Sequence, residues 1–148
     1  MKETGSVQPF TKTITIDAPA SEVWKVLTDL RVMKKWMLEE ELEIITDWKV
    51  GNPILIKGTA HWVYFENSGR VLKFEPGKIL QYTHLSSLSK LPDLTENYCI
   101  IEFKLSPQEK GTDLTLTLSN FPTESIYKHL VFYWNTTLGM IRDFTEKK

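Results

Sequence analysis

CIIEFKLSPQEKGTDLTLTLSNFPTESIYKHLVFYWNTTLGMIRDF, residues Cys99 to Phe144, decides the fold. Cys99, Ile101, Phe103 and Leu105 alternate with Ile100, Glu102 and Lys104, the period of a strand with one face turned inward. SPQEKG turns the chain. DLTLTLSN then sets Leu114, Leu116 and Leu118 against Thr115, Thr117 and Ser119, the pattern of a sheet buried on one side. The leucine face needs a cover, and the long element that follows can supply it. From about Thr123 to Glu146, Ile126, Leu130, Tyr133, Trp134, Thr137, Leu138 and Ile141 recur at the three/four spacing of a helix, with Pro122 and Thr123 as start signals. Phe132, Tyr133 and Trp134 stand in a row and, at ~100° per residue, cannot share one narrow face. Trp134 joins the inner stripe, Tyr133 sits at its margin and Phe132 points away.

Upstream, TKTITID (Thr11 to Asp17) alternates and is rich in β-branched residues, so it reads as a strand. APASEVWKVLTDL begins a helix at Pro19, Ser21 and Glu22, and a second short helix over Val32 to Met37 ends in Trp36 and Met37. From there the chain is almost entirely β. LEIITD is a strand, DWKVGNP a turn and ILIK a strand. A long run from Trp62 to Glu75 is expected to bulge or bend at Gly69. FEPGKIL turns at Pro76 and Gly77, and a polar connection covers Ser86 to Leu94. In the run Trp62 to Phe74 apolar residues fall on both parities, so no inner face is assigned there. Strand, two short helices, a run of about six antiparallel strands and a long helix predict an α+β layer pair.

The 148 residues fit one domain, 1–148, with a flexible N-terminus over 1–9. A net charge of -1 and the absence of long Lys or Arg runs give no nucleic-acid footprint. No apolar run suffices for a membrane span and MKETGSVQPF has no signal-like stretch, so a cytoplasmic location is expected. One cysteine excludes an internal disulfide and a multi-cysteine zinc site. With 5 Trp, 5 Tyr and 7 Phe, the chain has side chains able either to fill a deep core or to line a cavity.

These pieces in this order resemble the helix-grip fold of the START-like (SRPBCC) superfamily. Within it they are similar to domains like the C-terminal part of the activator of the 90-kDa heat-shock chaperone's ATPase. The resemblance is carried by ITIDAPASEVWKVLTD, Trp36, WKVG at 48–51, GRVLKFEPGKILQYTH at 69–84, IIEFKLSPQEKGTDLTLTLSNF at 100–121, and Trp134 with Leu138 and Ile141, together spanning about residues 11 to 144. It implies a curved antiparallel sheet of about six to seven strands wrapped around the long C-terminal helix, usually with an apolar cavity between them. Two positions depart from the pattern: His84 stands where Trp is usual, and Tyr133 where the residue is often small.

Reactive groups are few. Cys99 shares the parity of Ile101 and Phe103 and reads as a small buried hydrophobe. No nucleophile elbow or Ser/His/Asp arrangement is present, and His61, His84 and His129 lack metal-ligand spacing. No catalytic residue, metal site or cofactor is therefore assigned. Glu102 and Lys104 belong to a solvated outer face, and EEELE at 39–43 to an exposed edge before a strand. Leu80, Tyr82 and His84 share an inner face, where a neutral imidazole beside a phenol can orient a polar ligand group or move a proton; the alternative is a histidine near the sheet end, hydrogen-bonded to water or backbone. The candidate binding set is Trp36, Met37, Tyr82, His84, Phe103, Tyr133, Trp134 and Leu138, apolar with a few polar tips. The expected function is non-enzymatic: a carrier, sensor or stress-response protein holding a hydrophobic small molecule or lipid between sheet and helix. A co-chaperone-like module with a chaperone or homodimer partner, and a polyketide cyclase-like enzyme using Tyr82 and His84, are the alternatives.

Overall fold

A computed structural model describes residues 8–37, 40–60 and 62–147. The elements run β1 (Phe10–Ile16), α1 (Ala20–Thr28), α2 (Leu30–Met37), β2 (Glu40–Ile45), β3 (Pro53–Ala60), β4 (Val63–Glu75), β5 (Ile79–Ser86), β6 (Cys99–Gln108), β7 (Gly111–Ser119) and α3 (Glu124–Glu146). The strands form one antiparallel sheet in the order β1-β7-β6-β5-β4-β3-β2. It curves around α3 in the α+β helix-grip arrangement. Most of the expected N-terminal tail (1–7), His61 and Glu39 lie outside the described residues. Glu40 and Glu43 belong to edge strand β2, so the acidic run enters that strand rather than preceding it.

The alternation in β6 and β7 sets their inner rows. Leu114, Leu116 and Leu118 are fully buried, and Ile101, Phe103 and Leu105 lie beside them. On the outer face Thr13 and Thr115 meet at 2.8 Å, Thr15 donates to Asp113, and the Gln81 amide donates to Glu102 at 3.3 Å. The Thr123 hydroxyl accepts the Ile126 N–H at 3.1 Å, capping α3. At its other end Glu146 accepts the Asp17 N–H at 2.8 Å, tying α3 to the end of β1. Leu130, Trp134, Leu138 and Ile141 bury the α3 stripe, whereas Phe132 is 76% exposed.

Strand β4 explains its own mixed pattern. Val71 pairs with Tyr82 but Lys73 pairs with Gln81, so one residue is inserted between them. Both Val71 and Phe74 consequently pack inward although they are three residues apart, and Leu72 faces solvent. The register slip thus lies beyond Gly69, where a bend was expected. Gly69 is needed for another reason: a Cβ there would collide with the Thr83 carbonyl. The neighbouring Arg70 N–H donates to Thr83 Oγ1 at 2.9 Å. Gly111, at φ +114, is likewise required where a Cβ would strike the Ile16 carbonyl.

Candidate ligand-binding site

Four rings close the floor of the grip. Trp134 meets Phe103 edge-on at 5.5 Å, Trp36 at 6.2 Å and Tyr133 at 5.2 Å between centroids. The Trp36 indole donates to the Val26 carbonyl at 2.8 Å, which fixes the ring and satisfies its polar atom. Trp36, Met37, Phe103, Trp134 and Leu138 are all buried. Of the eight sequence-predicted residues these five pack as solid core, and Tyr82, also buried, stands beside them.

Sequence reasoning missed a second aromatic group. Trp48 stacks on Phe74 at 5.6 Å and 20°, and approaches Tyr82 at 6.4 Å, while Trp24 packs on Phe74 at 5.2 Å. Trp48 has a left-handed backbone (φ 59) in a turn organised by Asp47, whose carboxylate accepts the Lys49 N–H and the Asn52 amide. Its indole donates to the Thr28 carbonyl, joining the turn to the end of α1. The sequence signal was the WKVG segment, which read as a turn and as one piece of the family resemblance, with no packing role given to Trp48.

The inner face becomes accessible toward one end. Along β5, Leu80 and Tyr82 are buried, whereas His84 and Ser86 keep accessible surface. Along β4, Val71 is buried while Gly69 and Asn67 are part-exposed. Tyr133, on α3, is also half-buried. Tyr82 and His84 lie two residues apart on β5 and have Tyr133 and His129 as their charged-state neighbours, one turn apart on α3.

Electrostatics at this end favour neutral forms. Burial lowers the His84 pKa to about 4, although an edge of the residue meets solvent, and His129 adds a smaller push in the same direction. Burial raises the Tyr82 phenol, with Tyr133 contributing. Cys99, across from His84 in the β5–β6 register, is pushed up to about 12 by burial, so its thiol stays protonated. Asn67, paired with Ile56 and Ser86 and so turned inward with them, has a buried Oδ1 that accepts no hydrogen bond from any described residue. Among the described residues no three His, Cys, Asp or Glu side chains gather to hold a metal, and no helix is long and apolar enough to cross a membrane.

Known proteins with this architecture can now be set beside it. A comparison with curated proteins finds no match. A solution structure from Cytophaga hutchinsonii, ChR145, is 34% identical, with 95% of this chain and 94% of that one covered and a TM-score of 0.80. The Aha1 dimer from Colwellia psychrerythraea is 23% identical over 95% and 98% of the two chains, with a TM-score of 0.73. CalU16 from Micromonospora echinospora is 22% identical over 94% of this chain and 76% of its own, with a TM-score of 0.72. The last two likenesses show the fold alone. A family model described as activator of Hsp90 ATPase homolog 1-like protein matches residues 17–146. With nearly its whole length matched, the chain belongs to the family of activator of Hsp90 ATPase homolog 1-like proteins.

Proposed function

We propose that this chain is a non-enzymatic binder of a hydrophobic small molecule or lipid, acting as a carrier or sensor. The ligand lies between the sheet and α3, against His84, Tyr133 and Tyr82, with the Trp36–Phe103–Trp134 cluster as an apolar floor. The observation that carries this reading is the accessible end of the inner face, where half-buried His84 and Tyr133 adjoin buried Tyr82 and the ring cluster around Trp134. Such a mixture of apolar wall and few polar groups is the usual character of a small-molecule site. A catalytic role has less support: the Cys99 thiol is protonated, and His84 has no described carboxylate partner on its face to orient it as a base. DynU16, from the dynemicin biosynthetic locus, and CalU16 share the fold at 18% and 22% identity. They are consistent with a cyclase-like alternative without arguing for it.

The test is native purification followed by mass spectrometry of an organic extract, together with displacement of an environment-sensitive dye. A stoichiometric apolar compound that displaces the dye and moves the His84 and Tyr133 resonances is the expected result. Neither ligand, nor dye binding, nor any such shift would overturn the reading.

A second reading, docking of a chaperone or a second copy, is favoured by Phe132, which leaves 76% of itself exposed on α3. Sedimentation and chaperone ATPase measurements that are unchanged in Phe132→Ala would remove it.

A further inference from the structure

The orphaned Asn67 oxygen is the clue to what the ligand looks like. A buried polar atom is normally hydrogen-bonded, to protein, water or a bound molecule, so Asn67 Oδ1 is open to a partner. Asn67 lies opposite Ser86, and His84 follows two residues along the same face, a diagonal separation of about 7–8 Å. The Ser86 hydroxyl oxygen accepts the Leu88 N–H at 3.1 Å and keeps its own O–H to donate. The Asn67 carboxamide, the Ser86 hydroxyl and the His84 ring are thus neighbouring polar groups at the accessible end of the inner face.

Among the described residues of strands β3 to β7, charged side chains are absent from the same surface. The acidic and basic residues of strands β3 to β7, such as Lys57, Glu66, Lys73 and Glu102, pair on the outer face. Lys12 lies in the inner row of β1, three strands from β5 or roughly 14 Å by strand spacing, and its ammonium donates to Asn135 at 2.9 Å. Among the described residues, the titratable groups near His84 are Cys99, paired with it across β5 and β6, Tyr82 two residues along β5, and His129, which is exposed on α3. A carboxylate or ammonium entering here would lose its hydration without a countercharge.

We propose that the molecule held at this end of the inner face is neutral, an apolar and preferably aromatic body with a single hydroxyl or carbonyl group, which the Asn67 carboxamide recognises with the His84 imidazole beside it. The carboxamide can accept from a hydroxyl or, rotated, donate to a carbonyl. The aromatic preference follows from Tyr82, two residues from His84 on β5, and from Tyr133 near it. This inference rests on the binding function proposed above and sharpens it: ionised fatty acids and amines are excluded as ligands.

The test compares three probes of one shape at pH 7: 2-naphthol, naphthalene and 2-naphthoate. Affinities are read from tryptophan fluorescence and from shifts of the Asn67 side-chain amide and His84 ring resonances. The wild-type protein is expected to bind naphthol about 3–10-fold more tightly than naphthalene, the value of one net hydrogen bond. Naphthoate is expected to bind more than about tenfold more weakly than naphthol. Asn67→Leu is expected to lose the preference for naphthol over naphthalene. Naphthalene binding with no gain for naphthol, or naphthoate as tight as naphthol, would overturn the neutral polar anchor and leave the binding function standing. Failure of all three to bind or to shift His84 would overturn both. Should Asn67→Leu not fold, the wild-type order of affinities and the Asn67 amide shift decide the matter alone.

Discussion

Replacing Phe132, Tyr133 and Trp134 with alanine one at a time puts three adjacent aromatics of α3 under a single experiment. Trp134 is 3% exposed and touches the rings of Trp36, Phe103 and Tyr133. Truncating a buried aromatic costs about 3–5 kcal/mol, the lost transfer energy plus the cavity left behind. For a chain of this size each kcal/mol moves the melting midpoint by about 2–4 °C, so Trp134→Ala is expected to melt roughly 6–20 °C lower. Tyr133 is half-buried and keeps an edge contact with Trp134; its alanine variant is expected to lose about 1–2 kcal/mol. Phe132 stands in solvent, and Phe132→Ala is expected to stay within about 0.5 kcal/mol of wild type. Urea unfolding at two protein concentrations reads all three, and an unchanged slope certifies that midpoints report stability. If Trp134→Ala is too unstable to purify, Trp134→Phe keeps one ring against Phe103 and falls between. A Trp134→Ala loss below about 1 kcal/mol would refute the closed floor. A loss above about 1.5 kcal/mol at Phe132, larger at high protein concentration, would show that another surface covers it.

Three further outcomes follow from the same coordinates. His84 is expected to titrate by NMR near pH 4, far below an ordinary imidazole. The unfolded chain then binds the extra proton between about pH 6.5 and the folded value, so stability falls as pH drops through that window and is flat above it; His84→Gln removes this component of the slope. Cys99 is expected to resist thiol reagents at pH 8 in the folded state and to react at once in denaturant, because burial pushes its pKa up to about 12. Alanine at Gly111 meets the Ile16 carbonyl at a left-handed φ and is expected to cost at least about 1–3 kcal/mol, whereas Gly139→Ala, on α3 with open space around its Cβ, is expected to gain about 0.5–1 kcal/mol by thermal or urea melting.

How much of this was legible depended on regularity. Strands β6 and β7 hold strict alternation over their lengths, and α3 keeps its three/four spacing, so each predicted its inner row from residue type alone. In β4 the inserted residue at Leu72 reverses parity midway, and alternation cannot be read across a bulge whose position is unknown. Asn67 was lost with it, since its inward direction follows only once the register with Ile56 and Ser86 is set. Trp48 was hidden differently. It lies in a turn, where no periodicity applies, and its place over Phe74 and Tyr82 depends on a backbone φ of 59 and on the Asp47 hydrogen bonds. Of the eight residues chosen as a site, the sequence could say that they faced inward. It could not say which would meet one another and which would keep accessible surface, because that depends on where the sheet diverges from the helix.

This division has a physical consequence for how the protein can change. The ring cluster around Trp134 supplies a large share of a total stability that is, for any such domain, only about 5–15 kcal/mol. Substitutions there are constrained by packing volume and by the Trp36 hydrogen bond to Val26. The mouth obeys other limits. Asn67 already sits at a local cost, and His84 and Tyr133 are half-buried, so exchanges at these positions change polarity with little loss of core volume. Asn67→Leu is accordingly expected to raise the unfolding midpoint while weakening recognition of a hydroxyl-bearing probe. The opposite signs matter: a residue kept for packing loses stability and binding together, whereas one kept for a ligand gains the first as it loses the second.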